Sequence, residues 1–508
     1  MKHRIPEWYR NAKLGIMVHW GVPTIPAYAP VEHGGRADIL RDHDWRFYFR
    51  NNPYAEWYLN SLRIADSPVR AYHRKHYGDH TKYERLARRF TEELGSWDPR
   101  AWADLFREAG ARYVVMVAKH HDGYLMWPSS TPPVSDAFAA SRDVVGELGR
   151  AVREQDMRYG VYYSSQLDWT VQHRAIRDFS DLLLADSPAA YADSGGAGEA
   201  GAARADYARY AEAHLTELAE RYRPDVLWND IGLPSAISRR RLFRAYREAV
   251  PHGVLNDRWR QTGPLARRML SLRPVQRLVA RAARRAILDG RPSGGTGDVA
   301  TLEYPPAVRL AREPWELVRG LGKSFCYNAA EPDESYLSGE ELVHLLADVV
   351  SKNGNLLLNV APRADGVVPP EQRAPLADLA AWLRDHAEAI YGTRPWHRAE
   401  GTTRDGIEVR YTTKSDRLYA ILLGRPRMLS VVFEGLDLRK VPRPKGSDGS
   451  ERFSVRVLGC ERPVEASYEG ERVVVDLPGA YVPSVAPVVE FAWTRPDEPA
   501  SRFYTDII

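Results

Sequence analysis

Between Lys13 and Val360, short unbroken apolar runs alternate with stretches whose apolar residues recur every three or four positions. Unbroken runs suit strands buried on both faces, as in a parallel sheet; the spaced pattern suits amphipathic helices. Such runs extend over Lys13–Gly21, Arg112–Ala118, Tyr159–Ser164, Val226–Asp230, Gly253–Trp259, Lys323–Asn328 and Leu356–Val360. The helical pattern covers Asp98–Ala109, with Asp98 as cap, Pro99 in the first turn and Gly110 as stop. It recurs over about Asp143–Gln155, Asp206–Tyr222, Leu242–Val250, Ser338–Lys352 and Glu371–Ala389. Ser338 and Glu341 have capping-box spacing. Strand and helix in alternation predict an α/β fold, a (β/α)8-like, TIM-type barrel over residues 1–395.

Beyond Trp396 the texture changes. Short runs at Val409–Tyr411, Leu418–Leu423, Leu429–Phe433, Phe453–Val457, Val473–Val475 and Val488–Phe491 are separated by turn residues. They predict a C-terminal β-sandwich over 396–508. Two insertions interrupt the barrel pattern, near 170–205 and 260–297. Residues 186–204 are rich in Ala, Gly and Ser and read as flexible. Arg260–Arg291 is strongly basic. A solvated helical excursion is the commoner meaning of such a stretch; a contact for an anionic glycan or nucleic acid is the functional one.

Composition narrows the picture. The 508 residues, 44% of them hydrophobic, can bury one large core and one smaller one. A net charge of +4 gives no argument for nucleic acid. Two cysteines, Cys326 and Cys460, provide no disulfide framework. No apolar run is long enough for a membrane span, and the first residues lack an apolar signal-peptide core. The expectation is a cytoplasmic protein with neither membrane nor nucleic-acid partner. A homo-oligomer is compatible with this, and the sequence does not fix the number of copies.

The chemistry lies where the strands end. A parallel barrel gathers its active site at the C-terminal ends of its strands. His19, His120, His121, Tyr163, Trp228, Asp230 and Arg258 stand at such ends on five different runs. Trp228 and Asp230 are two apart and so share one face of their strand. An Asp in that position is usually a turn former or a helix cap; the repeated polar strand ends favour a site. Fourteen Trp and 27 Tyr mostly fill cores, but aromatic faces also pack against sugar rings.

Taken together, the motifs resemble the α-L-fucosidases of glycoside hydrolase family 29. The matching segments are Lys-Leu-Gly-Ile-Met-Val-His-Trp-Gly (13–21), Asn-Pro-Tyr-Ala-Glu-Trp-Tyr (52–58), Lys-His-His-Asp-Gly (119–123) and Gly-Val-Tyr-Tyr-Ser (160–164). They continue with Pro-Asp-Val-Leu-Trp-Asn-Asp (224–230), Asn-Asp-Arg-Trp (256–259), Trp-Glu-Leu-Val-Arg-Gly-Leu-Gly (315–322) and Ser-Lys-Asn-Gly-Asn-Leu-Leu-Leu-Asn-Val (351–360). The resemblance implies a barrel followed by a sandwich, retaining exo-hydrolysis of α-L-fucosyl linkages in an oligosaccharide or glycoside, and no metal or other cofactor. It makes Asp230 the nucleophile and Glu303, in Thr-Leu-Glu-Tyr, the acid/base. It assigns His19, Glu56, Trp57, His120, His121, Tyr163, Trp228, Arg258 and Phe325 to the sugar.

Retention requires two carboxyl groups roughly 5 Å apart, one attacking and one moving the proton. The acid's pKa should be raised and the nucleophile's kept low, Arg258 helping to hold Asp230 ionised or simply forming a structural ion pair. Imidazoles and Glu56 suit hydroxyls; Trp57, Trp228 and Phe325 suit a methyl group and an apolar ring face. Strand alternation places one of His120 and His121 behind the other. The chain departs from the family in its Arg-rich insertion, which lengthens the Asp230–Glu303 interval, and in Cys326, which replaces a small Gly. Three rivals stand beside this reading. The first is a metal-dependent hydrolase on His19, His120, His121 and Asp230, which has neither His-x-His nor His-Glu-x-x-His to support it. The others are a sugar-binding protein without catalysis and a related α-L-glycosidase acting on L-galactosides.

Overall fold

The computed structural model describes residues 4–192, 197–291, 295–441, 443, 452–462, 464–469, 471–477 and 484–494. The remaining parts of the expected insertions and sandwich (193–196, 292–294, 442, 444–451, 463, 470, 478–483 and 495–508) lie outside the described residues.

Eight parallel strands form one curled sheet: β1 (Leu14–Val18), β2 (Tyr113–Lys119), β3 (Arg158–Ser164), β4 (Val226–Asp230), β5 (Val254–Leu255), β6 (Ala300–Glu303), β7 (Trp315–Gly320) and β8 (Gly354–Val360). Their spatial order is β5-β4-β3-β2-β1-β8-β7-β6. Parallel bridges Asn256–Val299 and Arg258–Thr296 join the two edges and close the barrel. Every residue of β1, β2, β4 and β8 is buried, as strands covered on both faces require.

The predicted helices form, with the expected caps at Asp98 and Ser338 and a further one at Asp143. Pro99–Glu108 starts at Asp98, Val144–Glu154 at Asp143, and Gly339–Ser351 carries the Ser338–Glu341 capping box. Two expectations are corrected. Lys323–Asn328 is a loop, not a strand; the strand of that unit is β7, eight residues earlier. The helix expected at Asp206 is a 26-residue helix from Ala197 to Tyr222, so it begins inside the stretch read as flexible.

A layer of polar side chains closes the barrel beneath the strand ends. Glu316 Oε2 accepts from the hydroxyls of Tyr9 and Tyr113 at 2.7 Å each, and Oε1 accepts from Trp228 Nε1 at 2.9 Å. Three donors on one buried carboxylate make this interior acid tolerable. Gly15 makes room for it: a Cβ there would lie 2.3 Å from the Tyr113 ring.

After the barrel come two antiparallel sheets. One has β9 (Arg394–Thr402), β10 (Glu408–Lys414), β11 (Arg417–Leu422), β13 (Arg452–Val457) and β16 (Val488–Thr494); the other has β12 (Ser430–Glu434), β14 (Glu465–Glu469) and β15 (Arg472–Asp476). Between them lies a separate apolar core including Val409, Tyr411, Phe433, Val475 and Phe491. The sandwich is tied to the barrel's outer helices by Trp382 Nε1 donating to Ala486 O and by the ion pair Arg410–Asp348.

Candidate active site

The strand ends surround a cavity of about 150 Å³, smaller than the roughly 300–1,000 Å³ of drug-sized pockets. Its floor and walls are Met17 from β1 and His19 just after it, His120 and His121 just after β2, Tyr162 from β3, Trp228 and Asp230 from β4, Arg258 after β5, Glu303 from β6 and Phe325 after β7. Glu56 and Trp57 enter from the loop after β1. A cover closes it: Arg36, Trp45, Tyr48 and Phe49 from residues 36–50, Phe179 and Leu182 from the helix Phe179–Leu183, and Ile287 from the helix Arg273–Leu288.

Two carboxylates face this space through one guanidinium. Arg258 Nη1 is 2.8 Å from Asp230 Oδ1 and Nη2 is 3.1 Å from Glu303 Oε2. Asp230 Oδ1 also accepts from Ile231 N at 2.9 Å, and Oδ2 from the Tyr162 hydroxyl at 2.8 Å. Burial favours neutral Asp230, but Arg258 and the Tyr162 hydroxyl outweigh it and hold the carboxyl below its ordinary range. Ile231 adopts φ 64°, a strained conformation for a β-branched residue, immediately after this Asp.

Glu303 departs from expectation. Arg36 Nη1 lies 2.9 Å from Oε1, which also accepts from the Tyr54 hydroxyl at 3.0 Å. Burial pushes its pKa up, yet Arg36 and Arg258 together bring it below the ordinary glutamate value. The expected raised pKa is therefore absent in this arrangement, because two cations clamp the acid. Glu56 is the carboxyl that is raised: burial lifts it to about 8, against the opposing bonds from Cys326 N at 3.0 Å and Ser324 Oγ at 3.2 Å.

Hydrogen bonds fix the tautomers of His19 and His121. Asn359 Nδ2 donates to Phe325 O at 2.7 Å, so its Oδ1 accepts from His19 Nδ1 at 2.6 Å and His19 Nε2 is left as an acceptor. Burial lowers the His19 pKa to about 4. Ser164 Oγ donates to Leu167 O and accepts from His121 Nδ1 at 2.6 Å; His121 Nε2 then lies 3.7 Å from Asp230 Oδ2. Burial takes both His120 and His121 well below the usual histidine value, helped by the neighbouring imidazoles at His120 and by Lys119 at His121. His120 Nδ1 is buried without a hydrogen-bond partner.

His120 and His121 both line the cavity, against the expectation of alternation. β2 has ended at Lys119, and their rings pack with centroids 3.9 Å apart. Tyr163 does not reach the cavity. It is wholly buried on the outer side of β3, its hydroxyl 3.0 Å from His214 Nδ1. Tyr162 takes its place, stacked on Trp228 at 5.3 Å with the Arg258 guanidinium 4.7 Å over the far ring. Cys326 donates its backbone N–H to Glu56 and is not part of the cavity wall. Sequence reasoning passed over Tyr162, Arg36, Tyr54, Asn359 and the cover residues. None of them carries a signal in the sequence: Tyr162 is turned inward by the register of β3 on β4, which pairs it with Trp228.

Among the described residues, no three His, Cys, Asp or Glu are grouped to hold a metal ion, and no helix is long and apolar enough to cross a membrane.

Known proteins show the same assembly. The α-fucosidase of Thermotoga maritima superposes with a TM-score of 0.74 at 36% identity, covering 96% of this chain and 97% of that one. Its complex with fucose aligns equally well, at 35% identity. The tissue α-L-fucosidase of Bos taurus is 28% identical over 96% of this chain and 88% of its own length. The plasma α-L-fucosidase of Homo sapiens is 27% identical over 94% and 86%. The family model for α-L-fucosidase matches residues 1–388, the stretch that supplies every side chain of the cavity, and the chain belongs to the α-L-fucosidase family.

Proposed function

We propose that this protein is a retaining, exo-acting α-L-fucosidase with Asp230 as nucleophile and Glu303 as acid/base. The observation that carries this reading is the Arg258 bridge: two carboxylates at the ends of β4 and β6 share one guanidinium beneath a cavity of single-sugar size. Asp230 attacks the anomeric carbon as the bond to the leaving oxygen breaks, and Glu303 donates its proton to that oxygen. Water then gives a proton to Glu303 and attacks the anomeric carbon, breaking the ester and freeing Asp230.

The surroundings suit a deoxysugar. His19 Nε2 can accept a hydrogen bond from a hydroxyl, and a neutral Glu56 can donate one. Phe49, Phe179, Leu182 and Ile287 give part of the lining an apolar character that favours a methyl group over a hydroxymethyl group. Glu303 must carry a proton to act as acid, so an incoming aglycone has to loosen the Arg36 contact. The first test is proton NMR of an aryl α-L-fucoside during hydrolysis: free L-fucose appears first as the α-anomer. First appearance of the β-anomer would overturn the retaining assignment, and absence of turnover by folded protein would overturn the activity.

A further inference from the structure

Beside the sugar cavity lies a second, open groove of about 1,470 Å³. The two are separated by a single layer of side chains. Trp45 lines both. Its Nε1 donates to Ala280 O at 2.9 Å, and its ring stacks on Phe179 at 4.6 Å. In the helix Phe179–Leu183, Phe179 and Leu182 face the cavity while Ser180 and Asp181 face the groove. In the helix Arg273–Leu288, Ile287 faces the cavity while Arg273, Arg277, Ala280, Arg281 and Arg284 face the groove.

The charge in this groove is unbalanced. Asp178 pairs with Arg46 at 3.1 Å, Asp66 with Arg50 at 3.2 Å and Asp181 with Arg174 at 3.2 Å. The fourth carboxylate, Asp44, caps a helix by accepting from Phe47 N. Arg284 is used on the carbonyls of Leu40 and Arg41. Arg177, Arg273, Arg277 and Arg281 are exposed and have no carboxylate partner among the described residues. The last three, spaced by four, form one stripe along a helix, where like charges at that spacing repel one another. Guanidinium forks match sulfate and carboxylate groups two bonds at a time.

We propose that the arginine groove holds the non-fucose part of the substrate, and that this part is a sulfated or carboxylated glycan. The inference rests on the fucosidase reading and specifies its substrate class. A glycan fits better than single-stranded nucleic acid, which needs free aromatic faces for its bases. Here the Phe47 ring is occupied by His43 at 3.7 Å and by Arg50 at 5.2 Å, and Trp45 is buried against Phe179. Adjacency to the sugar cavity, across the shared Trp45 layer, also favours a ligand with one part in each space.

The test compares a sulfated fucosylated oligosaccharide with its desulfated counterpart, using an aryl α-L-fucoside as internal standard. The wild type and the triple variant Arg273→Ser/Arg277→Ser/Arg281→Ser are assayed at low and high salt. The expected result is a kcat/KM roughly tenfold or more in favour of the sulfated substrate at low salt, shrinking as salt rises. The triple variant should lose that preference while its aryl fucoside rate stays within about twofold, since these exposed residues touch no reacting atom. Equal kcat/KM for the two oligosaccharides, or a preference that survives in the triple variant, would overturn the proposal while aryl fucoside turnover leaves the fucosidase reading intact. An oligonucleotide that displaces the fucose-free sulfated glycan and binds more tightly at equal salt would overturn the glycan assignment. Failure on every fucoside would count against the underlying reading instead.

Discussion

The inner wall of the cavity and its cover are built on different terms. The wall consists of strand ends held by short hydrogen bonds, each fixing one atom: Tyr162 on Asp230, Asn359 on His19, Ser164 on His121 and Glu316 on Trp228. The cover comes from three segments far apart in the chain, joined by apolar packing around Trp45 and by arginine contacts to backbone carbonyls. A preorganised wall suits chemistry, which needs charges held in place before the reaction. A cover assembled from separate segments suits admission and choice of substrate. Changes to the wall should therefore act on kcat, and changes to the cover on KM or on pH dependence.

The largest effect should follow from Asp230→Gly, with kcat reduced by about three orders of magnitude or more. Azide should restore turnover and yield the β-L-fucosyl azide, read by NMR; an α-azide or no rescue would place the nucleophile elsewhere. Tyr162→Phe removes a hydrogen bond to a charged group, worth about 1.5–3 kcal/mol. That predicts kcat/KM lower by roughly tenfold to a hundredfold, and an unchanged value would remove Tyr162 from the site.

On the cover, Arg36→Gln should act through Glu303. Glu303 must be protonated to act as acid, so kcat/KM falls as pH rises through its pKa. Arg36 holds that pKa down, and removing the cation raises it. The alkaline limb of the pH profile should therefore move to higher pH in the variant; a limb that stays fixed or moves down would contradict the clamp. Trp45→Ala should raise KM for an aryl fucoside several-fold with little change in kcat, the signature of lost uniform binding. The smallest effect belongs to Tyr163→Phe. It disturbs only the His214 contact outside the barrel, so activity should stay within about twofold of wild type. A drop comparable to that of Tyr162→Phe would reverse the assignment of the two tyrosines.

The same contrast explains what the sequence conveyed. Strand ends carry a local signature, an apolar run ending in polar residues, and so His19, His120, Trp228, Asp230 and Arg258 were legible, as was the barrel. Facing direction was not, because it depends on register: β3 pairs Tyr162 with Trp228, and no spacing within β3 discloses that. Trp315–Gly320 concealed a strand because Glu316 interrupts its apolar run, and only the three donors around that carboxylate make it an interior residue. Lys323–Asn328 imitated a strand because Phe325 walls the cavity from a loop. Arg36 gave no sign at all. Its role arises from an ion pair across 267 positions, which neither periodicity nor motif spacing encodes. The basic insertion looked like a solvated helix, and most of that helix is; a few positions, Ala280, Ala283 and Ile287, turn it into a cover.

The central claim is that Asp230 forms the covalent link to the sugar. Incubation with a slow 2-deoxy-2-fluoro-α-L-fucosyl donor, followed by peptide mass spectrometry, tests it directly. The account predicts one sugar per chain, attached through an ester to Asp230, and none in Asp230→Gly. A label on Glu303, or complete hydrolysis of the donor without a trapped ester, would contradict it.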